Sequence, residues 1–512
     1  MRLRPILALL AAFAAGCAPP AWEIPTPENS PTTLVIFDRT TLITNVVIFD
    51  GRGEDAFRGS VRIAGNLIVG VGNLSRRRGE TTVDGGGLAI APGFIDTHSH
   101  ADRGLGEGSD ATAALSQGIT TVIVGQDGSS EFPVEKFLDR MERTGLPVNI
   151  GSYVGHGTLR SRVMGTDDKR AARPDEIQKM QILLDEELRT GGLGLSTGLE
   201  YDPGTYSTED EVRALASRAG RYASHIRSED REFWKAIDEV VEIGRRERIP
   251  VHISHMKLAM TSLWGQADRL IARLAAARRR GIPVTADVYP YRYWQSSLTV
   301  LFPKRDFTDR AAAEFALREV ALSDSITLTS FGANPDYEGQ TLAQIARLRN
   351  TDPATTLMAL IREAEAARAS GHGSQTIIAT SMSEADIERI LKWPFANICS
   401  DGELDGKHPR GYGAFTRVLG RYVRERHAIT FAEAIRKMTS LAADNVGIRD
   451  RGVIEPGVRA DLVLFDTATV ADRATPEQPH ALSTGIAKVW VNGVLAFDAG
   501  KVTGVKAGQA IR

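Results

Sequence analysis

The segment DTHSHAD carries His98 and His100 one residue apart, directly after the apolar run LAIAPGFI. Side chains i and i+2 of a strand share a face, so these two imidazoles can close on a single ion. An isolated pair of this kind is weak evidence and needs partners elsewhere in the chain. Only 10 histidines occur in the 512 residues. Two more, His225 at the end of YASH and His255 at the end of VHISH, stop apolar runs in the same way, and Asp401 ends NICSD. Histidines joined by a carboxylate suit zinc or a similar divalent ion.

The other histidines read differently. His252 lies an odd three residues before His255, so it points to the other strand face and reads as a buried, hydrogen-bonded residue. His156 in GHGTLR either touches substrate or is a loop histidine satisfied by backbone, and His372, His427 and His480 sit in polar text. Cys399, two residues before Asp401, reads as core filler one layer deeper.

The elements that must position these groups come from the pattern of runs. Residues 34–92 are short β-branched stretches broken by glycine, and residues 446–512 have the same texture, so both ends build one small β-sandwich domain. Between them, residues 93–445 alternate eight apolar β-type runs with helical stretches, among them TTVIVG at 120–125, PVHISH at 250–255 and FANICSDG at 395–402. That alternation predicts an α/β fold, a (β/α)8 barrel of the TIM type, whose functional residues lie at the C-terminal strand ends. The interval before the eighth strand is too long for one connection, and residues 300–380 are assigned to an inserted subdomain.

The formal net charge of -2 and the absence of a long basic run exclude nucleic acid as the main partner and favour a small molecule. The N-terminus is separate. MRLR followed by ten apolar residues is too short to span a bilayer and reads as a secretory signal. Its AAGC ending resembles a lipobox, with residues 1–17 as signal and lipidated Cys17, and 18–33 as a Pro-rich tether. This places the chain in a bacterial cell envelope, facing the periplasm, with the membrane touched only through the lipid.

The motifs PGFIDTHSHAD, VGHGTLR, GLGLSTGLEYDPG, HISHMK, SDGELDGKHPRGYG and GVIEPGVRADLVLFD resemble, in order and over residues 34–500, the D-aminoacylase (N-acyl-D-amino-acid deacylase) family of the amidohydrolase superfamily. The resemblance implies one metal position on His98 and His100, another on His225 and His255, one or two zinc ions, and Asp401 as catalytic base. It also implies Arg410, Lys257 and Tyr201 as contacts for a substrate carboxylate. Where the family places a cysteine ligand this chain has Asp127, and where other superfamily members carry a bridging lysine it has Ser196. Asp127 and Glu200 are therefore further candidate ligands. The implied activity is hydrolysis of N-acyl-D-amino acids, or of dipeptides ending in a D-residue, by an activated water. Two alternatives stand beside it: hydrolysis of another C–N bond, such as a cyclic amide or a β-linked dipeptide, and a metal-free binding or scaffold protein on the same fold.

The anchor is testable without reference to the rest. Each buried acyl methylene contributes about 0.8 kcal/mol, so a multiply acylated Cys17 holds the chain on membranes, and Cys17→Ser is expected to move it to the soluble fraction. Equal membrane fractions for the two proteins refute lipidation.

Overall fold

The computed structural model describes residues 40–106 and 108–512. The signal segment and tether expected at 1–33, and residues 34–39 of the first β segment, lie outside the described residues.

The two ends of the chain meet in one nine-stranded sheet. Its N-terminal share is Thr40–Ile48, Phe57–Ala64, Leu67–Gly72, Thr81–Asp84 and Ala89–Pro92. Its C-terminal share is Leu462–Phe465, Ile486–Val491, Val494–Asp498 and Lys501–Val502. The join is the antiparallel pairing of Ala89–Pro92 with Leu462–Phe465. Alternate positions Ile43, Val61, Ile63, Leu462, Leu464 and Trp490 bury one face in a common cluster. Asn492 and Gly493, with φ of 47° and 80°, supply the left-handed pair that a tight hairpin between the strands ending at Val491 and starting at Val494 requires.

Between the ends lie eight parallel strands: β1 (Phe94–Asp96), β2 (Ile119–Val124), β3 (Asn149–Ser152, followed by Val154–Gly155), β4 (Leu195–Gly198), β5 (Tyr222–His225), β6 (Val251–Ile253), β7 (Val284–Val288) and β8 (Ala396–Ile398). β1 to β3 pair in chain order, and a second parallel sheet runs from Val154–Gly155 through β4, β5, β6 and β7 to β8. Every residue of β2 is buried, as expected for a parallel strand covered on both faces. Helices alternate with the strands and stop where the sequence signals it. Pro174–Arg189 opens on a proline with Glu176 reaching back to the Arg173 amide at 2.7 Å, and Glu209–Ala219 is capped by Thr208 and closed by Gly220.

The inserted subdomain begins earlier than residue 300. Tyr293–Ser296 pairs with Gln375–Thr380, which also pairs with Ile326–Phe331, so a three-stranded antiparallel sheet spans 293–380. The helix Leu342–Leu348 packs on its strand Ile326–Phe331, and the helix Pro353–Ala367 packs against Leu342–Leu348 and Arg310–Phe315.

A buried polar clasp ties the nine-stranded sheet to β3. Asp461 accepts from Arg451 Nη1 at 2.5 Å, from the Asn492 amide at 2.6 Å and from Asn149 Nδ2 at 3.1 Å. Asp461→Ala leaves the Arg451 charge buried without its partner and is expected to destabilise the protein by about 3–5 kcal/mol. Denaturant unfolding checks this, and a loss below about 1 kcal/mol refutes the clasp as a structural tie.

Candidate active site

The C-terminal ends of the parallel strands and the turns just after them hold the chemistry-bearing residues. His98 and His100 follow β1, Asp127 follows β2, Glu200 follows β4, His225 ends β5, His255 follows β6 and Asp401 follows β8. Asp127, His255 and Asp401 all have left-handed backbone, with φ of 53°, 36° and 51°. Such values are uncommon for residues other than glycine and re-aim a side chain at a strand end, so simple two-residue alternation does not describe these positions.

The side chains converge. His98, His100, Asp127 and Asp401 offer ligand atoms within 4.8 Å of one another, and so do Asp127, His225 and His255. Asp127 is common to both sets. Its Oδ1 lies 3.4 Å from His98 Nε2 and 3.3 Å from His255 Nε2, and its Oδ2 lies 3.5 Å from His100 Nε2. A third set joins His225 to Glu200, at 3.2 Å, and to Glu229. The structure brings the four histidines, Asp127, Glu200 and Asp401, all named from the sequence, together at one mouth. Ser196, by contrast, donates to the Gly125 carbonyl at 2.6 Å and offers no bridging group.

Electrostatics follow from packing so many groups in a buried space. Burial alone pushes Asp127 upward, but the imidazoles of His98, His255 and His100 hold its carboxyl well below the usual range. Burial opposes charge on His98 and His100, yet Asp127 and Asp401 raise both, His100 to about 9. Asp401 is likewise held low against burial, with Arg410 the strongest opposing influence. The cluster also fits a metal on its own geometry. Both ring nitrogens of the buried His98 lack hydrogen-bond partners, and His225 Nδ1 and His255 Nε2 face each other at 2.9 Å. Nitrogen lone pairs directed into a shared space beside carboxylates are the donor set of a divalent cation such as zinc.

Around this centre, Arg410 Nη1 donates to Asp401 Oδ2 at 2.5 Å, and Lys257 Nζ contacts Glu229 Oε1 at 2.5 Å and His255 Nδ1 at 2.8 Å. Tyr201 packs against His225 with ring centroids 4.3 Å apart. All three line a cleft of two lobes, one of about 970 Å³ and a smaller one of about 40 Å³. Arg410 and Tyr201 border both lobes, and Lys257 the smaller.

Two readings need correction. His156 does not reach the cleft: it is fully buried, its Nε2 paired with Glu211 at 2.9 Å beside Arg160. His252 is buried and hydrogen-bonded as expected, but it joins the site network instead of turning away. Its Nε2 meets Asp287 Oδ2 at 2.9 Å, and Asp287 also accepts from the His255 amide and from Cys399 Sγ at 3.3 Å. The odd spacing misled because β6 ends at Ile253, before His255. Asp287 and Glu229 were missed altogether. A carboxylate inside the apolar run PVTADV was the available signal for Asp287, since a buried acid must be paired. Glu229, four residues beyond His225 in a loop, carried none.

Comparison with known proteins agrees with the geometry. The model of the amidohydrolase family matches residues 81–396 and 338–497. The N-acyl-D-glutamate deacylase of Alcaligenes xylosoxydans xylosoxydans is 35% identical over 480 residues, 88% of this chain and 92% of that protein. The crystal structure of N-acyl-D-glutamate deacylase from Bordetella bronchiseptica, complexed with zinc and a phosphonate inhibitor that mimics the tetrahedral intermediate, superposes with TM-score 0.82. It is 34% identical, with 92% of this chain and 99% of that one covered. A D-aminoacylase structure, described for its binuclear metal centre with one-metal activation and second-metal attenuation, gives TM-score 0.81 at 32% identity, with 92% and 99% covered.

Asp127 is common to both candidate ligand sets, which makes it the position at which a metal-binding role is best tested. Asp127→Ala is expected to weaken zinc binding by about tenfold or more, read by chelator competition on the purified protein. Identical competition curves for the variant and the parent chain overturn that role.

Proposed function

This chain belongs to the amidohydrolase family, and from that premise we propose that it is a zinc-dependent hydrolase cleaving the amide bond of N-acyl-D-amino acids, or of dipeptides with a C-terminal D-residue. The observation that carries the proposal is the pairing of a metal-type cluster centred on Asp127 with an ionised Asp401 held by Arg410 at the edge of the same cleft. Similarity to deacylases along most of the chain supports the bond and the D configuration. The converging histidines speak against the scaffold alternative, and the similarity to deacylases along most of the chain speaks against the cyclic-amide alternative.

Two details of architecture belong to the same reading. The eight parallel strands form one closed (β/α)8 barrel, a view supported by the link between its ends: Ser99 bridges Gly402, and the Asp401 amide donates to the His98 carbonyl at 2.8 Å. The domains are a barrel over 93–445, interrupted by the insertion, and a small β domain from 34–92 and 446–512, with the chain anchored in the cell envelope through Cys17.

The residues that would hold metal are His98, His100, His225 and His255, with Asp127 between the two pairs. When bound, zinc supplies Lewis acidity toward the scissile carbonyl and toward water. Asp401 does the proton work. Its carboxylate, kept ionised, accepts the proton of the attacking water and delivers it to the leaving amine as the C–N bond breaks. Arg410 and Lys257 offer cations to the substrate α-carboxylate, and Tyr201 and Tyr289 close the space beside them. With the carboxylate and the scissile carbonyl fixed, the wall near the α-carbon supplies the third contact that separates D from L.

Asp401→Asn keeps the shape of the side chain and removes the base, so kcat is expected to fall on the order of 10²–10⁴-fold with zinc content retained. Near-normal turnover in that variant assigns the proton to another group. For D and L pairs of one N-acyl amino acid, the D-isomer is expected to be favoured by about tenfold or more in kcat/KM, which needs only about 1.4 kcal/mol of differential transition-state binding. Equal values, or activity confined to compounds without a carboxylate, refute the proposed substrate class.

A further inference from the structure

We infer that the acyl side of the substrate is an extended, uncharged polar chain, so that the enzyme removes a C-terminal D-residue from peptides longer than two residues. This rests on the deacylase reading above and deepens it. The two lobes of the cleft differ greatly. The smaller, about 40 Å³, is bordered by Lys257, Arg410 and Tyr289 together with Trp294 and Leu301, and has room for little beyond a carboxylate and a small side chain. The larger, about 970 Å³, opens on the other side of Asp401 and Tyr201. Sites that bury whole drug-sized ligands run to roughly 300–1,000 Å³, so the larger lobe far exceeds the needs of an acetyl group.

Its walls say what fills it. One is the antiparallel sheet of the insertion, which presents Gln295, Ser330 and Thr376; the facing wall presents Ser129, Thr158 and Ser161 from the turn after β2 and the helix His156–Met164. Hydroxyl and amide groups both donate and accept, which matches the alternating N–H and C=O of a peptide backbone. Gln295 Oε1 is buried at the meeting of the lobes and has no partner, leaving an acceptor for a substrate N–H. A fatty acyl chain gains little here, because each methylene contributes about 0.8 kcal/mol only where it meets apolar surface. Charged polymers fit no better, since the lining carries both signs: Arg103 pairs with Glu403 at 2.7 Å and Lys407 with Glu338 at 2.7 Å, Arg162 packs over the Phe132 ring, and Asp202 and Asp405 border the same lobe. A sugar chain is less suited, because Tyr201 is the only aromatic side chain bordering this lobe among the described residues. The chemistry is the same hydrolysis. Water oxygen bonds to the acyl carbon, the C–N bond breaks, and the proton passes to the amine of the released D-residue.

The test compares three substrates of the zinc-loaded protein that share D-alanine, chosen for the small lobe: N-acetyl-D-alanine, N-octanoyl-D-alanine and acetyl-Gly-Ser-Gly-D-alanine. The peptide is expected to exceed both others in kcat/KM by about tenfold or more, because contacts remote from the reacting bond raise catalytic efficiency. Ser330→Trp, which fills the large lobe, is expected to bring the peptide-to-acetyl ratio close to one, and the milder Thr376→Val to lower it. Acetyl and peptide substrates cut equally well, or octanoyl preferred, overturns the inference and leaves the deacylase reading standing. Failure to cut any of the three overturns both.

Discussion

A half-buried carboxylate surrounded by imidazoles governs the charge of the groups it touches, and Asp127 is that carboxylate. Its two oxygens reach His98, His100 and His255 within 3.5 Å, and His225 lies 3.9 Å away. Without a cation such a cluster is consistent only if some imidazoles carry protons, which is why His98 and His100 are raised despite burial. A divalent ion held by these residues would take the place of those protons. The cleft and the pairing of Asp401 with Arg410 are built around that arrangement. Asp127 stands where the resembling family carries a cysteine, and an oxygen donor is harder than a thiolate. The only cysteine among the described residues, Cys399, lies below the cluster against Asp287, its thiol pushed far up by burial and so unsuited to metal binding.

Holding such groups within hydrogen-bond distance needs a second layer that is itself satisfied. Asp96, at the end of β1, accepts from the Ser400 amide at 2.8 Å and the Ser400 hydroxyl at 2.5 Å, which pins the turn carrying His98 and His100 to the turn carrying Asp401. Asn397 of β8 donates to Thr97 Oγ1 at 2.7 Å and accepts from Asn445 at 2.7 Å, and Gln126 donates to the Thr97 carbonyl at 2.7 Å. Asp287 gathers His252, the His255 amide and Cys399 beneath the site. These bonds are buried, so each lost partner exposes the other to the full desolvation cost, and the layer is rigid for that reason.

The strands and the histidines that converge at their ends were legible in the sequence because both follow strong local rules. Apolar runs of four to eight residues mark buried parallel strands, and a histidine or acid at their end is unexpected unless it does something. The boundaries of β2, β6 and β8 fall within a few residues of the runs at 120–125, 250–255 and 395–402. What could not be read is anything that depends on the path of the chain after a strand stops. His252 was assigned to the wrong side because β6 is only three residues long and His255 sits in a left-handed turn. His156 looked like a mouth residue, yet the helix it opens turns its ring toward Glu211. Glu229 enters the cluster by folding back from a loop, and the antiparallel strand Tyr293–Ser296 carries no sign that it belongs to the insertion and not to the connection after β7.

Under the proposed function Arg410 serves two anions, Asp401 and the substrate carboxylate. Nη1 is committed to Asp401, while Nε is buried with no partner and the ring of Tyr289 packs 5.0 Å from the guanidinium carbon. A guanidinium offers five donors in a fixed plane, so a substrate carboxylate can bind through the free edge without displacing the base. The consequence is a coupling. An incoming carboxylate draws positive potential away from Asp401, and a carboxylate less stabilised as an anion is a stronger proton acceptor. Lysine, a point charge on a flexible stem, would have to choose between the two partners. Under the proposed function the arginine would tie base strength to occupancy of the carboxylate position, Asp401 being most basic when the substrate whose amide it must help to break is in place.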